Sequence, residues 1–258
     1  MNMTSASPAD AGRAASAPAP SRRTVDAPTR AFHWLFALSF VGAYLTADGE
    51  RWRMVHVTLG YTLIGLIAFR LLWGVFGPRH ARLSLWFARL RGAPALLRSL
   101  LTPGDGRPAL AAVRPLLNAL AVVSLLGLAV LATASGYALY DEAFGGALED
   151  LLEGLHETAG NAMLMFVLLH VALIAVGVLF KGRQQAWAMV TGRVPGRGPD
   201  LVKRNQALLG GLLLASAVAF WVWQWRTAPD GGGQSDARAE KILKEQHREG
   251  RRGHDDDD

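Results

Sequence analysis

The sequence predicts an all-α integral membrane protein, and three observations carry that prediction. Hydrophobic residues make up 51% of the 258 positions, and they gather into five runs of about 18 residues or more, the length that crosses roughly 30 Å of hydrocarbon. In the segments that flank the first four runs, arginine and lysine fall almost wholly on one side. Histidines stand inside the runs, where an ionisable side chain is costly unless it has a partner.

In chain order, residues 1–29 are rich in Ala, Ser and Pro and hold no apolar segment. They are expected to form a disordered cytoplasmic leader rather than a signal peptide; Arg22-Arg23 resembles a twin-arginine start only superficially, because Asp26 and Pro28 interrupt the residues after the pair. Pro28 suits the opening turn of a helix, and the first span comes at about 31–48, the second at about 56–77. The stretch RLSLWFARLRGAPALLRSLL after them alternates apolar side chains with arginines, the pattern of helices lying in a headgroup layer. The third and fourth spans are expected at about 116–136 and 155–180, joined by a loop in which Asp141, Glu142, Glu149, Asp150 and Glu153 gather. Residues 30–195 thereby form one membrane domain. Residues 196–226 supply a connection and a fifth C-terminal transmembrane helix at about 207–225, and 227–258 a charged, disordered tail ending in HDDDD. That tail reads as solvated, its His254 and aspartates included. No repeat, phosphate loop, nucleophile elbow or pair of catalytic carboxylates is present.

Orientation comes from the basic residues. Seventeen Arg and Lys lie in the N-terminal segment, between spans two and three, and after span four, against two, Arg51 and Arg53, in the first loop of the opposite side and none in its second. The positive-inside rule then puts the N-terminus in the cytoplasm and the C-terminal tail on the far side. The same asymmetry accounts for the net charge of +6, so nothing calls for nucleic acid.

His156 and His170 lie fourteen residues apart in one apolar run, LHETAGNAMLMFVLLHV. On a helix that is close to four turns, so the two imidazoles share a face and stand roughly 21 Å apart along the axis. Topology supplies their partners. His56 and His156 each open a span on the outer side, and His33 and His170 share the inner half. The inner pair carries a strain: His33 is three residues past Arg30, whereas His170 is eleven short of Lys181, a depth mismatch of roughly 12 Å at helical rise.

The chain has no cysteine, which removes covalent c-type haem, iron–sulfur clusters, thiolate zinc and disulfides. Zinc on histidine alone would want three or four ligands converging on one point. Four histidines that pair by depth instead fit the iron of two haem b groups, His56 with His156 for an outer one and His33 with His170 for an inner one. Gly60 and Gly160 each stand four residues after an outer histidine, one turn along the same face, where a missing side chain lets a porphyrin come close. Arg70 lies well inside the second span and either binds an inner-haem propionate or snorkels to the headgroups. Arg51, Trp52 and Arg53 either pair with outer-haem propionates or anchor the interface. His80 is expected at the surface.

The residues FHW in the first span, His56 with Gly60, RLLWGVFGPRHARL, LHETAGNAMLMFVLLHV and AWAMVTGRV together resemble the bacterial cytochrome b561 family, which includes the b-type cytochrome subunit of nickel-iron hydrogenases. The resemblance covers about residues 28–195. It implies a four-helix bundle in the bacterial inner membrane that holds two b-type haems through His33, His170, His56 and His156. It also implies respiratory electron transfer between the quinone pool and a redox partner protein, such as a cytochrome c, a hydrogenase or another dehydrogenase subunit. The chain departs from the pattern where many members carry a Gly-His-Asn-Pro-like stretch and it reads AVRPLLNAL, and in its fifth span and tail. Bis-histidine iron has no open coordination site, so the protein is expected to act as a wire whose chemical step is quinone oxidation or reduction. Two other readings stand beside this one. Arg51 and Arg53 could steer superoxide or another small reductant to the outer haem, or the chain could be a haem-free scaffold or transporter whose histidines relay protons or bind a metal.

Overall fold

A computed structural model describes residues 20–94, 98, 110–141, 145–181 and 186–227. The chain divides into two compact units, residues 1–215 and 216–258. The first unit is a bundle of long helices. Helix α1 is Ala27–Leu45, α2 is Arg53–Phe76, the short α3 is Ser84–Arg91, α4 is Leu110–Tyr140 and α5 is Ala147–Lys181. Neighbours pack as α1 on α2, α2 on α4 and α4 on α5, with α3 against α4. The core where they meet is Phe40, Leu63, Ile67, Ala129 and Met163. A further turn α6, Ala188–Thr191, and helix α7, Ala207–Thr227, complete the helices seen, and the boundary between the two units falls inside α7.

Local chemistry sets the ends of these helices. Asp26 caps α1 by accepting the Thr29 amide at 2.9 Å, with Pro28 in the first turn where its missing N–H costs nothing. At the other end the Thr46 hydroxyl donates to the Gly42 carbonyl at 2.7 Å. Helix α2 stops where the Gly77 amide donates to Trp73 O at 2.9 Å and Pro78 comes next. Helix α5 begins at Ala147, not at about 155, so Glu149 and Asp150 lie in its first turn and Glu153 within it. These carboxylates, expected in a loop, instead offset the positive end of the helix dipole. Glu142 lies outside the described residues.

Among the described residues four helices are long and apolar enough to cross a membrane: Glu50–Phe76, Leu116–Tyr140, Ala147–Leu179 and Ala207–Thr227. The first expected span is not among them. Helix α1 has 19 residues, but Thr29, Arg30, His33 and Trp34 crowd its first turns and lower its hydropathy. It buries Ala31, Leu35, Ser39 and Ala43, an i, i+4 stripe, in its packing with the bundle. On α5, by contrast, Leu168, Leu169, Val171, Ile174 and Val176 are exposed, a face suited to lipid.

The arginine-rich end of the bundle carries a small closure. Strand β1, Ser21–Arg23, pairs antiparallel with β2, Arg193–Pro195, with Arg22 opposite Val194. Residues 20–29, expected in a leader without structure, therefore take part in the fold. Their partner strand lies some 170 residues on, and no local pattern announces such pairing. The Arg23 amide donates to Asp200 Oδ1 at 2.6 Å and the Ala27 amide to Asn205 O at 3.0 Å. Gly192, at φ 77°, turns the chain from α6 into β2 in a conformation that favours glycine. The amphipathic stretch after span two is helical over Ser84–Arg91, and most of its remainder, like residues 1–19 and 228–258, lies outside the described residues.

Candidate functional site

The structure brings the four histidines together in two pairs. The rings of His56, on α2, and His156, on α5, have centroids 5.9 Å apart and an interplanar angle of 73°. Those of His33, on α1, and His170, on α5, are 6.5 Å apart at 63°. Two imidazoles bound to one metal on opposite sides, with bonds of about 2 Å and ring radii of about 1 Å, would place their centroids roughly 6 Å apart. The depth mismatch of the second pair vanishes because α5 runs eleven residues past His170, to Lys181, while α1 starts six before His33, at Ala27. Residues 189–190 then fold back onto α1, accepting from Trp34 Nε1 through Met189 O at 3.0 Å and from Arg30 Nη1 through Val190 O at 2.6 Å. Part of the AWAMVTGRV motif thus lies over the α1 turn that carries His33, and the Trp34 ring meets the His33 ring edge-on at 5.4 Å.

Backbone carbonyls orient the pair at the acidic end. His56 Nδ1 donates to Ala43 O at 2.8 Å, and His156 Nδ1 donates to Ala132 O at 2.8 Å. A carbonyl oxygen can only accept, so each Nδ1 carries the proton and each Nε2 keeps its lone pair. That is the tautomer a metal-binding imidazole needs, fixed by its second hydrogen bond. The rings open on a cavity of about 500 Å³ whose wall includes Phe40, Leu63, Ala129 and Met163 at its apolar side. Gly60 and Gly160 line it, and a Cβ on either would meet nothing within 4 Å. The space these glycines leave open is the space a flat ring would use.

Several contributors escaped the sequence reading. A Cβ on Gly136 of α4 would lie 2.6 Å from His156 Cε1 and 2.8 Å from its Nδ1. The missing side chain is therefore what seats the His156 ring, one turn past the Ala132 carbonyl that holds it. All four tyrosines of the chain, Tyr44, Tyr61, Tyr137 and Tyr140, also line this one cavity. Gly136→Ala is expected to push the His156 ring off its carbonyl, at a cost of about 1–3 kcal/mol. Gly127→Ala on the same helix, where an added Cβ meets nothing within 4 Å, should leave the protein unchanged. Thermal denaturation and absorbance of the two variants compare them directly.

The arginines sit differently. Arg70 does not snorkel: it is buried and donates from Nη1 to Ala81 O at 3.0 Å. It ties the turn after α2 back onto that helix. Arg51 lies over the exposed Trp52 ring, 5.6 Å from its centroid, and neither Arg51 nor Arg53 lines the cavity. His80 lies in the short turn Arg79–Ala81. Among the described residues no group of three or more His, Cys, Asp or Glu side chains could hold a metal ion.

A membrane bundle with facing imidazoles, their Nδ1 atoms tied to carbonyls at the acidic end and glycines clearing the space between, is built as a haem protein of the membrane. The chain matches the prokaryotic cytochrome b561 family over residues 24–192 and belongs to it. It is accordingly a multi-pass membrane cytochrome of the b type, acting in electron transfer. No curated protein and no solved structure matches it.

Proposed function

We propose that this cytochrome holds two haem b groups, one on His56 and His156 and one on His33 and His170, and carries electrons between the quinone pool and a redox partner protein. The observation that supports it most is the facing of two histidine pairs, with ring centroids 5.9 and 6.5 Å apart, at two levels of one bundle. Each haem, when bound, supplies one-electron iron chemistry at a site closed to further ligands. The chain's part is to hold and orient: Ala43 O and Ala132 O fix two of the ligand rings, Gly60, Gly136 and Gly160 clear their surroundings, and residues 189–190 pin α1 beside His33. The pair near Arg30 faces the cytoplasm and the pair near the acidic residues the periplasm, by the distribution of basic residues.

Superoxide steering by Arg51 and Arg53 fits this arrangement less well, since Asp48, Glu153 and Glu157 line the cavity and would repel an anion. Protein purified from membranes is expected to contain two haem b per chain by pyridine haemochrome assay, and to be reduced anaerobically by a soluble quinol. Protein with no Soret band would return the chain to a scaffold or transporter, and one haem per chain would remove one of the two sites.

A further inference from the structure

The wall of the cavity beside His56 and His156 has an unusual make-up. Among the described residues it carries three carboxylates, Asp48, Glu153 and Glu157, and no arginine or lysine. A haem seated there would bring two propionates, and donors in the wall would hold whatever part of them leaves water, since a carboxylate desolvated without donors is strongly unfavourable. The apolar wall of Phe40, Leu63, Ala129 and Met163 offers none. Arg51 and Arg53 do not line the cavity.

The hydroxyls that do line it can be sorted. Tyr44 donates to Asn161 Oδ1 at 2.9 Å and Thr133 to Ala129 O at 2.7 Å, so both are engaged. Three phenols remain. Tyr61 of α2 meets Tyr137 and Tyr140 of α4 edge-on, with centroids 6.2 and 6.1 Å away. None of these three hydroxyls has a hydrogen-bond partner among the described residues. Tyr137 and Tyr140 close α4 at the acidic end, and both are half exposed. Three neutral donors therefore gather at one side of a cavity whose charged groups are all anionic.

We infer that Tyr61, Tyr137 and Tyr140 are the propionate-binding residues of the outer haem, taking the place that cationic side chains would otherwise fill. This rests on the proposal that His56 and His156 hold a haem. Neutral phenols are suited to the position. They supply O–H groups to a carboxylate, and their rings, fixed by mutual edge contacts, give the haem edge an apolar flank. With no cation among the described lining residues, hydrogen bonds from the phenols and from water at the rim would offset the propionates' charge.

The test uses the full-length protein in detergent, with Tyr61→Phe, Tyr137→Phe, Tyr140→Phe and the triple variant, beside Arg51→Ala/Arg53→Ala. Phenylalanine keeps the ring contacts and removes only the hydroxyl. Two readouts are taken, the rate at which haem transfers to added apomyoglobin and the spectroscopic redox titration of each haem. The triple variant is expected to release one of its two haems at least about tenfold faster, since a hydrogen bond to a charged group is worth about that factor. The midpoint of that same haem should fall, because propionates that have lost their donors favour the ferric state. The other haem should be unaffected, and the double arginine variant should behave as wild type. Unchanged release and midpoint in the triple variant would overturn the inference and leave the tyrosines as an interfacial aromatic ring. Faster release from the arginine variant with unchanged tyrosine variants would overturn it in favour of Arg51 and Arg53. Failure of the underlying reading is seen separately, as wild-type protein that lacks the outer haem before any variant is made.

Discussion

On the two-haem proposal, His156→Ala is expected to leave one haem per chain instead of two. The substitution removes one ligand of the outer pair, and His56, held by Ala43 O at 2.8 Å, cannot move to supply a second bond. It also frees the Ala132 carbonyl and empties the seat that Gly136 provides. The inner pair should survive, because His170 lies fourteen residues further along α5, roughly 21 Å away at helical rise, and sites at that distance act independently. Pyridine haemochrome assay and the reduced α band give the number directly, and the same measurement on His170→Ala should find the complementary haem. Two haems retained in His156→Ala would show that the outer iron does not depend on this ring. The pair of variants also reports on function: whichever one loses reduction by a soluble quinol while its remaining haem is intact marks the level at which quinone reacts.

The pairing of the histidines was legible in the sequence because two independent patterns converge on it. Fourteen residues between His156 and His170 place both rings on one helical face, and the one-sided distribution of arginine assigns each ring a level. The surroundings of the rings were not legible, for reasons that differ from residue to residue. The acceptors of His56 and His156 are backbone carbonyls, of Ala43 and Ala132, and a carbonyl leaves no mark in a sequence. Gly136 acts through the side chain it lacks, twenty residues from the ring it admits, and resembles any small residue of a membrane helix. The tyrosines come from α1, α2 and α4, so only the packing of the helices brings them to one wall. Acidic residues at 149–153 suggested a loop, since charge usually ends an apolar run, yet the first turn of a helix is where carboxylates are favoured. Hydropathy, finally, is least informative where a helix is buried by protein: α1 carries Arg30 and Trp34, whose Nη1 and Nε1 donate within the fold, and His33, which faces a partner ring.

Arg70→Ala is expected to destabilise the fold by about 1–3 kcal/mol without loss of haem, the magnitude being that of leaving a buried carbonyl without its donor. Arg70 links two parts of the arginine-rich end. Its Nη1 donates to Ala81 O, eleven residues on, holding the turn Arg79–Ala81 beneath α2. With alanine at 70, the Ala81 carbonyl loses its donor and the turn after α2 loses its tie to that helix. A propionate-binding arginine would give the opposite signature, loss of one haem with little change in melting. Thermal unfolding and haem content measured on the same sample therefore separate the two roles. Unchanged melting together with loss of one haem would overturn the bracing role and make Arg70 a cofactor ligand instead.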